Sequence, residues 1–192
     1  MTGNQEGRSS HFSVLIVCTA NICRSPAAEV LMRAAFGPAS GISIESAGLH
    51  ARVGEPMARE TARLLGVPPE TVVARQLTAE VTRRADLALT MTRAHRAAVV
   101  SAAPGMLRRT FTLREFGDLA SVARSDSLLP LGASPSERLA ALTAVAPPLR
   151  SRRSDRLDDD VEDPYGRDTA IHQRVLDVLR GSVAAVVGSI AP

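Results

Sequence analysis

Cys18 and Arg24 have five residues between them, Thr19-Ala20-Asn21-Ile22-Cys23, and Ser25-Pro26 follow. A thiol and a guanidinium at this spacing can meet around one oxyanion. The thiol is then a nucleophile, and the planar fork of the arginine can hold two phosphate oxygens. The chemistry this describes is transfer of a phosphoryl group to sulfur. The transfer needs a thiolate, and a cysteine with an ordinary pKa near ~8.5 falls to roughly 3.5–7.5 beside a helix N-terminus or an arginine.

The neighbouring sequence supplies the elements that must position the pair. Val14-Leu15-Ile16-Val17 is an apolar run that ends at Cys18, and Ala27 to Phe36 is apolar with helical period. Strand, short polar loop, then helix is the arrangement that aims backbone N–H groups at an anion. Ser25 suits the helix N-cap and Pro26 the first helical position. Asn21 tolerates a left-handed backbone angle and can hold the loop through its side chain. Ser25 can also donate a hydrogen bond to the thiolate. The loop amides from Thr19 to Arg24, including those of Ala20, Ile22 and Cys23, are the expected phosphate-binding surface.

The block Val17-Cys18-Thr19-Ala20-Asn21-Ile22-Cys23-Arg24-Ser25-Pro26 resembles the phosphate-binding loop of low-molecular-weight protein tyrosine phosphatases. The resemblance implies a phosphatase I-like α/β fold. It also implies hydrolysis of phosphotyrosine through a phosphocysteine on Cys18, with Arg24 stabilising the transferred group. Asp163-Pro164, shortly before the last helix, matches the family's general acid. Tyr165 is expected to flank the substrate ring, although Gly166 follows where some members carry a second tyrosine. Arg75-Gln76-Leu77 resembles another family segment. Ala20 stands where the family's loop commonly has glycine, so a positive φ there would cost stability. The stretch Leu49-His50-Ala51-Arg52-Val53-Gly54 lacks the aromatic wall residue of eukaryotic members and is closer to the bacterial branch. That placement implies a tyrosine-phosphorylated protein as partner, a tyrosine kinase of bacterial polysaccharide synthesis being the candidate. His50 and Arg52 are open between a solvated loop and a substrate contact.

Two other functions fit the loop. One is an arsenate reductase of the same fold. In its thioredoxin-linked form that chemistry passes oxidation to further cysteines downstream, whereas this chain has none after Cys23 and retains Asp163. The other is a non-catalytic module that binds phosphotyrosine. Cys18 and Cys23 also lie close enough in sequence for peroxide to join them reversibly.

Composition narrows the field. The 192 residues are 45% hydrophobic and 22% charged, which suits a globular core. With no Trp and one Tyr, that core must be aliphatic. The net charge is +3 with both signs interspersed, so no nucleic-acid footprint is read. Two cysteines exclude a disulfide scaffold. Met1 to Ser10 is polar without the apolar centre of a secretory signal, and Val183 to Val187 is too short to span a bilayer. A cytoplasmic location, no membrane association, no cofactor and no metal cluster are expected.

Along the chain, residues 1–11 read as a flexible tail and 12–192 as one phosphatase domain. Strands are expected at 12–17, 42–46, 86–91 and 109–113. Helices are expected at 26–36, 57–65, after Thr78, at 93–102 and at 168–187. Alternating strands and helices imply a doubly wound, four-stranded parallel sheet with helices on both faces. Ligands then bind beyond the carboxyl ends of the strands, where Cys18 falls. His95 reads as an exposed helical residue and His172 as a surface or interface residue. Residues 117–160 look like an insertion. They read as a mobile, solvated loop with self-compensating charge at Arg150 to Arg156 and Asp158-Asp159-Asp160, apart from one helix at Pro135 to Val145 capped by Ser134, the alternative being a docking segment for a partner kinase or substrate.

Overall fold

The computed structural model describes residues 11–153 and 159–191. The elements, in order, are β1 (Phe12–Cys18), α1 (Arg24–Phe36), β2 (Ile42–Gly48), α2 (Arg59–Leu65), α3 (Ala79–Arg84), β3 (Leu87–Thr90), α4 (Arg93–Ala102), β4 (Thr110–Thr112), α5 (Leu113–Ser125), α6 (Pro135–Leu149) and α7 (Thr169–Ile190). The strands form one parallel sheet in the order β2-β1-β3-β4. The expected doubly wound α/β fold is what forms.

Side chains alternate across β1, and this divides the core. Phe12, Val14, Ile16 and Cys18 face a cluster built with Met32, Phe111, Phe116, Leu139, Leu176 and Leu179. Leu15 and Val17 face the opposite side, where Ala88, Val99 and Met106 cover them. Being apolar on both faces is what a central parallel strand requires. β1 lies at the switch point of the sheet, with β2 on one side and β3 on the other, and its carboxyl end carries Cys18.

Helix starts follow local capping chemistry. Thr78, Thr92 and Asp168 accept from the backbone N–H three residues on. Thr112 with Glu115, and Ser134 with Glu137, form complete capping boxes at α5 and α6. The start of α1 differs from expectation. Its N-cap position is Cys23 and no side chain caps it. Ser25 lies inside the first turn, and its hydroxyl is spent on Cys18 instead.

The region 117–160 also departs from expectation. The helix expected at Pro135 to Val145 forms as α6, with Ser134 as its cap, and runs on to Leu149; the departure is that residues 117–125 are helical too, as the end of α5, and that both helices pack into the core rather than lying in a solvated loop. Leu119, Ala120, Leu139, Leu142 and Ala146 are fully buried. Gly117, which reads as a loop residue, is a packing residue: a Cβ there would lie 3.2 Å from the Ser182 carbonyl oxygen of α7. The charges are engaged too. Arg150 pairs with Glu115 at 2.7 Å and lies over the Phe111 ring. Arg153 pairs with Asp118 and Asp159. The expected tail, apart from His11, and part of the charge run at 154–158 lie outside the described residues.

Burial of α6 is testable. Leu139→Ala is expected to cost about 2–5 kcal/mol in a urea titration. A change below about 0.5 kcal/mol, usual for a solvated residue, would contradict its place in the core.

Candidate active site

β1 ends at Cys18, and the chain turns through residues 19–23 before α1 begins. The first helical hydrogen bond of α1 runs from Ala27 N–H to the Cys23 carbonyl. The N–H groups ahead of it have no helical partner, as at any helix N-terminus. The turn is fixed by Asn21, whose φ of 57° is left-handed. Its buried side chain donates to Ser25 Oγ at 2.9 Å and to Ser46 Oγ at 2.8 Å, and accepts from Arg75 N–H at 2.9 Å. Ser25 Oγ thus accepts from Asn21, which leaves the Ser25 hydrogen for the Cys18 sulfur 2.9 Å away. The backbone N–H of Asn21 also points at that sulfur, at 3.3 Å. A thiolate here meets two donors. Among the described non-glycine residues, only Asn21 and Ser127 have positive φ, so Ala20 carries no left-handed strain.

Behind this network stands Glu29, buried on α1. Ser46 hydrogen-bonds to its carboxyl, and Arg33 pairs with it at 2.7 Å. Burial still pushes the Glu29 pKa up, against both partners.

A wall loop packs against the turn through backbone hydrogen bonds. Leu49, His50 and Arg52 N–H groups donate to the Cys18, Thr19 and Ala20 carbonyls at 2.9–3.0 Å. The approach is close enough that a Cβ on Gly48 would lie 2.6 Å from the Thr19 carbonyl oxygen. Arg75-Gln76-Leu77 extends the end of β2, and the Gln76 amide braces Ala51 and Leu49.

The third component is the strap of residues 159–165. Asp159 pairs with Arg153, Asp160 accepts from Arg93 N–H at the start of α4, and Val161 N–H donates to the Met91 carbonyl. These aspartates are anchors rather than the solvated charge that the sequence suggests. The strap carries Asp163 to Arg24. One guanidinium nitrogen donates to Asp163 Oδ2 at 2.5 Å, and the other donates to the Val161 carbonyl at 3.1 Å. Asp163 Oδ1 accepts from Tyr165 N–H at 3.2 Å. Tyr165 is 53% exposed, and its hydroxyl accepts from Arg52 at 2.8 Å with the guanidinium beside the ring. Arg52 is thus a wall residue, while His50 contributes only its backbone among these contacts.

Cys18, Thr19, Ala20, Ile22, Cys23, Arg24, Asp163 and Tyr165 line a pocket of about 160 Å³. Eight of the ten residues singled out from sequence therefore meet in one crevice. Asn21 and Ser25 are fully buried and hold the loop from behind. Burial pushes the Cys23 thiol up to about 11, with a Thr61 hydrogen bond opposing, so it stays protonated near neutrality. Thr61 in turn bonds to His172 Nδ1 at 3.1 Å, which makes His172 a buried residue rather than a surface one. His95 is buried as well, 2.9 Å from Thr19 Oγ1. Its place beneath the loop had no local signal in sequence beyond the Thr92 cap that orients the first turn of α4. Among the described residues, no group of three or more His, Cys, Asp or Glu could hold a metal ion, and no helix is long and apolar enough to cross a membrane.

His95 links the site to stability. Burial, and then the charge of Arg24, lower its pKa from the ordinary 6.5 to about 4. Between those values the unfolded chain binds a proton that the folded chain refuses. The stabilising contribution is therefore complete above pH 6.5 and is lost as pH falls toward 4. The melting temperature is expected to decline over that window, and to decline less in His95→Gln. Equal slopes for the two proteins would contradict this burial of a neutral imidazole.

Comparison with known proteins gives the same picture. The family model described as "Low molecular weight phosphotyrosine protein phosphatase" matches residues 13–145. The low molecular weight protein-tyrosine-phosphatase Etp of Escherichia coli (strain K12) is 42% identical over 101 residues, which are 51% of this chain and 66% of Etp. Wzb of Salmonella typhi, of the same description, is 42% identical over 96 residues, 48% of this chain and 62% of Wzb. The matched segment thus spans less than two thirds of either relative. The crystal structure of the Erwinia amylovora tyrosine phosphatase AmsI superposes with a TM-score of 0.66 at 26% identity, covering 94% of this chain and 93% of that one. With the family model matched over residues 13–145, well over half of its length, the chain belongs to the low molecular weight phosphotyrosine protein phosphatase family.

Proposed function

We propose that the protein hydrolyses phosphotyrosine through a phosphocysteine intermediate. The observation that carries this reading is the meeting of Cys18, Arg24 and Asp163 at one pocket, although Asp163 lies 139 positions from Arg24 in the chain. The Cys18 sulfur attacks phosphorus, and the aryl oxygen departs with its electron pair. Asp163 supplies the proton that the phenolate needs, and its carboxylate then takes a proton from the water that cleaves the thiophosphate. Loop amides and the Arg24 fork stabilise the three equatorial oxygens, where transition-state charge resides. An arriving phosphate dianion competes with Asp163 for the guanidinium, which frees the carboxyl to face the leaving group. Tyr165, steadied by Arg52, flanks the substrate ring.

The proposed partner is a tyrosine-phosphorylated protein, with a bacterial tyrosine kinase of polysaccharide synthesis as the candidate by family resemblance. A reducing, cytoplasmic compartment suits a site that depends on two free cysteines. Under peroxide, a Cys18–Cys23 disulfide would form slowly near neutrality, because the buried Cys23 thiol holds its proton. The arsenate reductase reading lacks a further cysteine after Cys23. A non-catalytic module would be favoured by a strained loop at Ala20 or by an irregular insertion at 117–160. Ala20 has no positive φ, and α5 and α6 are part of the core.

The test is hydrolysis of an aryl phosphate by the parent, Cys18→Ser and Asp163→Ala across pH. Cys18→Ser is expected to abolish turnover. Asp163→Ala is expected to lose roughly 10²–10⁴-fold, with a weakened dependence on an acidic group. Equal rates for all three proteins would refute the assignment.

A further inference from the structure

We infer that the Thr19 hydroxyl, committed as a donor by His95, hydrogen-bonds the oxygen that leaves phosphorus. This rests on the phosphatase reading and adds a side chain to it.

His95 is 8% exposed in the first turn of α4, and its Nε2 lies 2.9 Å from Thr19 Oγ1. Its Nδ1 is buried with no hydrogen-bond partner among the described residues. The low pKa keeps the ring neutral, so it carries one N–H and one lone pair. A buried N–H without an acceptor is the rarer orphan of the two. The proton is therefore assigned to Nε2, where Thr19 accepts it, and Nδ1 keeps the lone pair. Thr19 Oγ1 is then an acceptor toward His95, and its own hydrogen has no side-chain partner among the described residues.

Thr19 borders the same pocket as Cys18, Arg24 and Asp163. In-line transfer puts the aryl oxygen opposite the attacking sulfur, on the open side of that pocket. As the S–P bond forms, the P–O(aryl) bond breaks and its electron pair leaves on oxygen. Asp163 delivers the proton. Thr19 keeps its own and offers a hydrogen bond to the developing charge, the kind of fixed donor that acts only as charge appears. Thr19 touches the reacting oxygen, and His95 is a positioning residue behind it.

A donor to the leaving oxygen matters most for a poor leaving group. The test compares kcat/KM for phenyl phosphate and para-nitrophenyl phosphate in the parent, Thr19→Val, Thr19→Ser, His95→Gln and His95→Leu. Thr19→Val is expected to lose about tenfold on phenyl phosphate and about threefold or less on the nitro ester. Thr19→Ser and His95→Gln, which keep the hydroxyl and a side-chain N–H, are expected to recover most of the loss. His95→Leu is expected to behave as Thr19→Val. Equal losses on both esters, or a serine variant no better than valine, would overturn the inference while an active parent leaves the phosphatase reading intact. A parent whose turnover survives Cys18→Ser would overturn both.

Discussion

The side-chain amide of Asn21 holds together everything that the site requires. A left-handed residue at the middle of the loop aims its own N–H at the Cys18 sulfur, and three side-chain hydrogen bonds keep it there. Those bonds reach three separate parts of the chain: Ser25 on α1, Ser46 on β2 and the backbone at Arg75. Both amide hydrogens are donated, so Ser25 has only its own hydrogen to offer the sulfur. Ser25 accepts from Asn21 and keeps that hydrogen free for the sulfur, and a buried network of this kind is costly to leave partly satisfied. Glu29 terminates the chain of donors on the far side of Ser46.

A second constraint brings Asp163 back to the start of the sheet. The strap does this through contacts that are individually ordinary. Asp160 sits at the N-terminus of α4, where the helix dipole favours an anion. Val161 adds a backbone bond to Met91 just past β3. Arg24 then grips the strap twice, at Val161 and at Asp163. The arginine is 5% exposed and would be poorly solvated without these partners. The same guanidinium thus organises the crevice and is proposed to bind the phosphoryl group.

Much of the sheet and the loop was legible in sequence, because both rest on local signals. The apolar run before Cys18, the loop residues and the Asp-Pro turn lie within short windows. The segment 117–160 was legible only at the helix that begins at Pro135 under its Ser134 cap, for a physical reason. Its helices carry Ser, Gly and Pro among their residues, which locally favour turns. Their helical state is decided by capping boxes and by close packing on α7, as at Gly117. His95 and His172 were misplaced on the surface because nothing local distinguishes a buried imidazole from a solvated one. The partners that bury them, Thr19 and Thr61, are 76 and 111 positions away. Likewise Asp159 and Asp160 look like solvated charge until Arg153 and the start of α4 are seen beside them.

The proposed chemistry turns on sulfur as the acceptor of phosphorus within this crevice. Rapid acid quench during turnover of an aryl phosphate, followed by mass spectrometry of the digested chain, measures that directly. The account predicts a phosphoryl group on Cys18 that appears within the first turnover and decays as substrate is exhausted. Turnover with an unmodified Cys18 at every time point, or phosphate on another residue, would contradict it.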